Sequence, residues 1–91
     1  MRRVRVIIRG IVQGVGFRAF VVRNAKRLGA KGFVRNLPDG FSVEIVAEGS
    51  DESIEQLLQI VKRGPPGALV EDFEVIDEEP KGEFEDFEVR Y

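Results

Sequence analysis

The chain opens on an alternation: Val4, Val6 and Ile8 fall on one side and Arg3, Arg5 and Arg9 on the other. A period of two predicts a strand with one face in a core and the other in water. The run enters Gly10-Ile11-Val12-Gln13-Gly14-Val15-Gly16, where three glycines in seven positions predict a loop of unusual backbone freedom. The period then changes. Phe17, Phe20, Val21 and Leu28 recur at helical offsets and Gly29 supplies a stop, predicting a helix from Phe17 to about Leu28 with Lys26 and Arg27 in its last turn.

Lys31 to Asn36 reads as a short strand, Leu37-Pro38-Asp39-Gly40 as a turn and Phe41 to Glu48 as a second strand, which together make a hairpin. Gly49-Ser50-Asp51-Glu52 is a helix start with acids in its first turn. Ile54, Leu57, Leu58 and Val61 are the apolar stripe of that helix, and Lys62-Arg63-Gly64-Pro65-Pro66 ends it. Leu69 to Asp77, with Phe73 and Val75 alternating, is a fourth strand; Phe87, Val89 and Tyr91 mark a fifth after Pro80-Lys81-Gly82. The order β-α-β-β-α-β plus one strand predicts an α+β fold of the ferredoxin-like type, an antiparallel sheet of four to five strands with two helices on one face.

Length and content add limits. Ninety-one residues, 43% hydrophobic, with no repeat or linker, are expected to form one domain over residues 1–91. No run approaches the roughly 20 apolar residues of a membrane span, and the alternating N-terminus is unlike a signal peptide, so a soluble cytoplasmic chain with no membrane partner is expected. Cysteine and histidine are both absent. That removes disulfides, thiolate nucleophiles, Ser-His and Cys-His catalysis, phosphohistidine and the sulfur- or imidazole-bearing metal sites. Abundant charge with few Asn, Gln and Met resembles the composition of heat-adapted proteins.

The net charge of −2 hides a lopsided chain. Residues 1–38 hold ten Arg and Lys and no acid, while the remainder holds four basic and sixteen acidic residues. Either the basic half attracts an anion, or basic and acidic strands pair across one sheet.

The loop from Gly10 to Gly16 joins a strand to a helix N-terminus, where unpaired N–H groups and the dipole favour a phosphate-sized anion, and Arg18 in the first turn can add a bidentate contact. On spacing alone, a plain tight turn with Arg18 in solvent is the somewhat better account, since glycine-rich strand-to-helix turns are common. Neither nucleotide motif is present. Gly16 is followed by Phe17 where a Walker loop needs Lys, and Ala19 stands where a dinucleotide fingerprint needs glycine.

The nine residues Gly10 to Arg18, Gly-Ile-Val-Gln-Gly-Val-Gly-Phe-Arg, resemble the first signature of the acylphosphatase family. Gly32-Phe33-Val34-Arg35-Asn36-Leu37-Pro38-Asp39-Gly40 resembles the second, and Gly82-Glu83-Phe84 with Phe87-Glu88-Val89-Arg90-Tyr91 is similar to the family's ending. The resemblance implies hydrolysis of the mixed anhydride of an acyl phosphate, a small-molecule substrate. It implies that the backbone amides of Gln13, Gly14, Val15, Gly16, Phe17 and Arg18 cradle the phosphoryl group, that the Arg18 guanidinium neutralises it, and that Asn36 orients the attacking water. No metal, cofactor or phosphoenzyme is expected, and a monomer is expected, with a weak dimer as the alternative. One departure is visible: the chain reaches Val43-Glu44-Ile45 one residue later than the family pattern, so Phe41 or Ser42 is expected to be extra within the hairpin turn.

Two other readings compete. RNA-recognition modules share the element order, and Lys31-Gly32-Phe33 imitates the start of their signature. Strand 1 lacks a stacking aromatic, however, and the triplet precedes the second strand instead of the third. A binding domain that keeps an anion pocket without turnover is the other; the presence of both Arg18 and Asn36 argues against it. The acidic pairs Glu78-Glu79 and Asp51-Glu52 are expected to be a solvated turn and a helix start.

Overall fold

Register decides which residues of the first strand meet the core. In the computed structural model, which describes residues 1–91, β1 (Arg2–Ile11) pairs antiparallel with β3 (Ser42–Gly49), setting Val4 against Ala47, Val6 against Ile45 and Ile8 against Val43. All six are buried, and the predicted core face of strand 1 is the observed one. Both helices cover this face. From α1 (Phe17–Leu28) the residues Phe17, Val21 and Ala25 turn inward, with Phe20 and Leu28 at the margins; α2 (Asp51–Arg63) contributes Ile54, Leu57, Leu58 and Val61.

Around these lie β2 (Lys31–Asn36), β4 (Leu69–Glu78) and β5 (Phe87–Arg90), in the sheet order β4-β1-β3-β2-β5. The first four strands are antiparallel and make the ferredoxin-like arrangement. The fifth differs from the all-antiparallel expectation, because β5 lies parallel to β2 and makes the sheet mixed. The cause is the path of the chain: it leaves β4 at one edge and returns at the other. Residues 79–86 make that traverse. They are held by the buried Glu48 carboxylate, which accepts from the N–H groups of Lys81 (2.9 Å) and Gly82 (3.1 Å), and by Gly32 N–H donating to Asp86 O at 3.0 Å.

The second face of the sheet resolves most of the charge asymmetry. Arg5 and Arg35 both donate to Glu44, which is only 4% exposed, and Arg3 donates to Glu48, Glu78 and Glu83. Arg2, Arg9 and Lys26 also pair with acids of the later half. Ion pairs therefore engage six of the ten cations of the basic half, five of them across strands, and among the cations left without one is Arg18. Glu78, expected in a solvated turn, instead closes β4 on Arg3, whereas Asp51 and Glu52 do open α2.

Burial alone would push the Glu44 and Glu48 carboxyls up. The guanidiniums of Arg35 and Arg5 on Glu44, and the Lys81 N–H, Arg3 and Gly82 N–H on Glu48, more than offset it and hold both below the ordinary 4.5. Their stabilising contribution is fully present above that value and is lost as pH falls through the lower folded-state values. The thermal midpoint is thus expected to fall as pH drops below about 4.5, and Glu44→Gln to start lower at neutral pH and fall less steeply. A midpoint that stays level through acid, followed by circular dichroism, would contradict this.

Candidate active site

The two helices begin in different ways. At α2, Ser50 Oγ accepts from Ser53 N–H at 3.0 Å and two acids fill the first turn, so the dipole and one orphan donor are satisfied from within. At α1 the cap residue is Gly16, with no side-chain cap bond and no acid in the first turn. The first helical hydrogen bond there is Phe20 N–H to Gly16 O, 3.1 Å, and no backbone N–H from Gln13 to Gly16 donates within the chain. A run of donors at the positive end of a helix is thus left for an external acceptor.

Gly14 and Gly16 make that run possible. Both sit at φ 75°, and a Cβ at either would touch nothing, so the requirement is one of backbone conformation. Gly10 is a glycine for a different reason: a Cβ there would meet Leu69 O at 2.1 Å, where β4 bulges against β1.

Beside this N-terminus lies a cleft of about 220 Å³ lined by Gly14, Gly16, Phe17, Arg18 and Asn36, with Val12, Ala19, Val89 and Tyr91 as its apolar side. Arg18 makes no hydrogen bond or ion pair within the chain; its guanidinium stands over the Tyr91 ring, 5.2 Å from the centroid. Asn36 ends β2, and its Oδ1 is buried without a hydrogen-bond partner. An unsatisfied buried acceptor costs about 1–3 kcal/mol. Such a cost is characteristic of a site held ready for something else. No Asp or Glu side chain lines the cleft.

A larger cavity of about 530 Å³ lies at the other end of the strands, among Met1, Lys31, Glu48 and Phe84. Glu48, its buried charged group, is already committed to Arg3 and the residue 81–82 amides.

An acylphosphatase family model matches residues 4–89. The chain belongs to the acylphosphatase family. It is 55% identical over 89 residues to the acylphosphatase of Caldivirga maquilingensis, covering 98% of this chain and 94% of that one. To the acylphosphatase of Aeropyrum pernix it is 52% identical, over 98% and 88% of the two chains. The crystal structure of acylphosphatase from Bacillus subtilis superposes over the whole of both chains with a TM-score of 0.95 at 37% identity. Relatives include proteins of thermophiles, in keeping with the ionic composition. Membership makes the chain a hydrolase of acyl phosphates, and no helix in it is long and apolar enough to cross a membrane.

The structure brings Arg18, Asn36, Gly14, Gly16 and Phe17 to one cleft, while the side chains of Gln13 and Val15 turn away from it and only their main chain belongs to the loop beside it. Val15 packs against the core, and the Gln13 side chain turns to the hairpin, where Nε2 donates to Leu37 O and Ser42 O, both at 2.9 Å. Of the two residues expected to be extra in that hairpin, Phe41 lies in the turn with its ring in solvent. Ser42 opens β3, fully buried, its Oγ donating to Asp39 at 2.5 Å. The cleft positions of Val89 and Tyr91 are not legible in the sequence, where the alternation Phe87, Val89, Tyr91 states only that the three share a side; Phe87 is buried there and Tyr91 is fully exposed.

Proposed function

We propose that this chain hydrolyses acyl phosphates by direct attack of water on phosphorus. The Arg18 guanidinium and the N–H groups of Gln13, Gly14, Val15, Gly16, Phe17 and Arg18 hold the phosphoryl group, and Asn36 orients the water. The observation that carries the reading is the meeting of three uncommitted groups in one cleft: an uncapped helix N-terminus, a guanidinium without an anionic partner and a carboxamide with an unpartnered acceptor.

These groups suffice because of the leaving group. A carboxylate departs as an anion whose conjugate acid has a pKa of roughly 4 to 5, so no proton must be delivered and the absence of histidine is no obstacle. Phosphoryl transfer is loose, with charge spread over the equatorial oxygens, and fixed positive charge with aligned donors supplies most of the stabilisation. Asn36 is not basic enough to take a proton in the ground state, but it can both accept from and donate to water, so its task is alignment. An alkyl phosphate would be a poor substrate, because its alkoxide needs an acid that the cleft does not offer. The apolar side, Val89 and Tyr91, supports an acyl group lying there while phosphate lies against the loop. Nucleic-acid binding by the open sheet face is disfavoured: the Phe33 ring is covered by Arg90 at 4.1 Å and edged by Phe84.

Hydrolysis of benzoyl phosphate in water enriched in ¹⁸O tests the reading. The label is expected in inorganic phosphate, with turnover unchanged by a chelator and with alkyl phosphates scarcely touched. Label in benzoate would place the attack on carbon and remove Arg18 and the loop from their roles.

A further inference from the structure

Arg18 and Asn36 lie on segments that are distant in the chain, and a side chain bridges the two. Gln13 donates both of its bonds to carbonyls at the base of the β2–β3 hairpin: Leu37 O, directly after Asn36, and Ser42 O, next to Val43, the cross-strand partner of Asn36. The Ser42 carbonyl also accepts Leu37 N–H at 2.9 Å, so the bracket grips a closed piece of hairpin. Gly10 N–H to Phe41 O, 3.0 Å, ties the strand before the loop. No other hydrogen bond joins residues 11–16 to the hairpin.

We propose that Gln13 is a positioning residue that acts on the reaction through Asn36: its carboxamide fixes the strand end that carries Asn36 against the loop that carries the phosphoryl cradle. The inference rests on the hydrolytic reading above. A primary amide suits the task, since its two N–H groups diverge from one nitrogen and can serve two carbonyls at once. Because the side chain faces the hairpin and the main chain faces the loop, replacing the side chain leaves the backbone donors in place. A misplacement of about 1 Å can cost up to about 10²-fold in rate, and a carboxamide that must align water is exposed to that penalty.

The test is a double-mutant cycle on wild type, Gln13→Met, Asn36→Ala and the double variant, with benzoyl phosphate as substrate and inorganic phosphate as inhibitor. Gln13→Met keeps the length of the side chain and removes its donors. Its kcat is expected to fall about tenfold while phosphate inhibition stays within about twofold. Placed on Asn36→Ala, the same change is expected to cost less than about twofold, because the group it acts through is gone. Gln13→Asn, which keeps the amide but is one methylene short, is expected to behave alike and serves if the methionine variant folds poorly. Equal losses in both backgrounds overturn the inference, as does a loss confined to phosphate binding. The side-chain NH₂ resonances of Asn36 give a reading that needs no turnover: they are expected to shift and broaden in Gln13→Met, and unchanged resonances overturn the brace. A wild-type chain inert toward benzoyl phosphate would instead refute the hydrolytic reading, and the resonances would still decide the role of Gln13.

Discussion

Arg18→Ala is expected to lower turnover of an aromatic acyl phosphate by on the order of 10³-fold or more, the scale of removing an arginine that stabilises transferred phosphoryl charge. That corresponds to about 4 kcal/mol of barrier. The effect should be large here because the cleft offers no second cation: among its lining residues Arg18 alone carries a full positive charge, and the rest of the cradle is backbone. Arg18→Lys should recover little, since an ammonium is a point donor and cannot reproduce a planar fork on two phosphoryl oxygens. Stability should change little, because the guanidinium makes no hydrogen bond or ion pair and only the Tyr91 stacking is lost. Near-normal hydrolysis by Arg18→Ala, measured with benzoyl phosphate on folded protein, would remove Arg18 from the reaction.

Asn36→Ala is expected to lose about 10²-fold or more in kcat with phosphate affinity retained, the scale of losing one oriented polar group in a dry site. The split between kcat and affinity is the informative part. If Asn36 aligns water, the ground-state complex with phosphate does not need it, and only the transition state suffers. A fall in phosphate affinity would make Asn36 a ligand contact. Deleting the carboxamide also removes a buried acceptor that has no partner, so the variant should be no less stable than the wild type, or slightly more. A gain in thermal midpoint accompanied by loss of turnover is the signature of a group retained for function at a cost to folding.

What could be read from the chain divides along the range of the interactions. Local pattern sufficed for the strands and helices and for the stripes Val4-Val6-Ile8 and Ile54-Leu57-Leu58-Val61, because each depends on spacing within a few residues. The candidate site was legible through two signature segments that resemble a known family; on spacing alone the loop would have stayed undecided between an anion site and a turn. The parallel placement of β5 was not legible, since a four-residue strand states its faces but not its neighbour, and only the traverse anchored by Glu48 and Asp86 brings it to β2. The charge asymmetry was equally open. Whether Arg5 and Arg35 attract an outside anion or Glu44 depends on register between strands about 30 residues apart or on the hairpin's exact closure. The family resemblance implies a place in the cradle for the Gln13 amide; that its side chain turns away to the hairpin depends on where Leu37 and Ser42 present their carbonyls.

A crystal grown or soaked with inorganic phosphate bears most directly on the central claim. The anion is expected in the cleft between Asn36 and the Gln13 to Arg18 backbone, with loop N–H groups and the Arg18 fork within hydrogen-bond distance and room for a water at the Asn36 carboxamide. Phosphate bound only at other cationic surfaces such as Arg23 and Arg27, with the cleft occupied by solvent alone at saturating concentration, would contradict it.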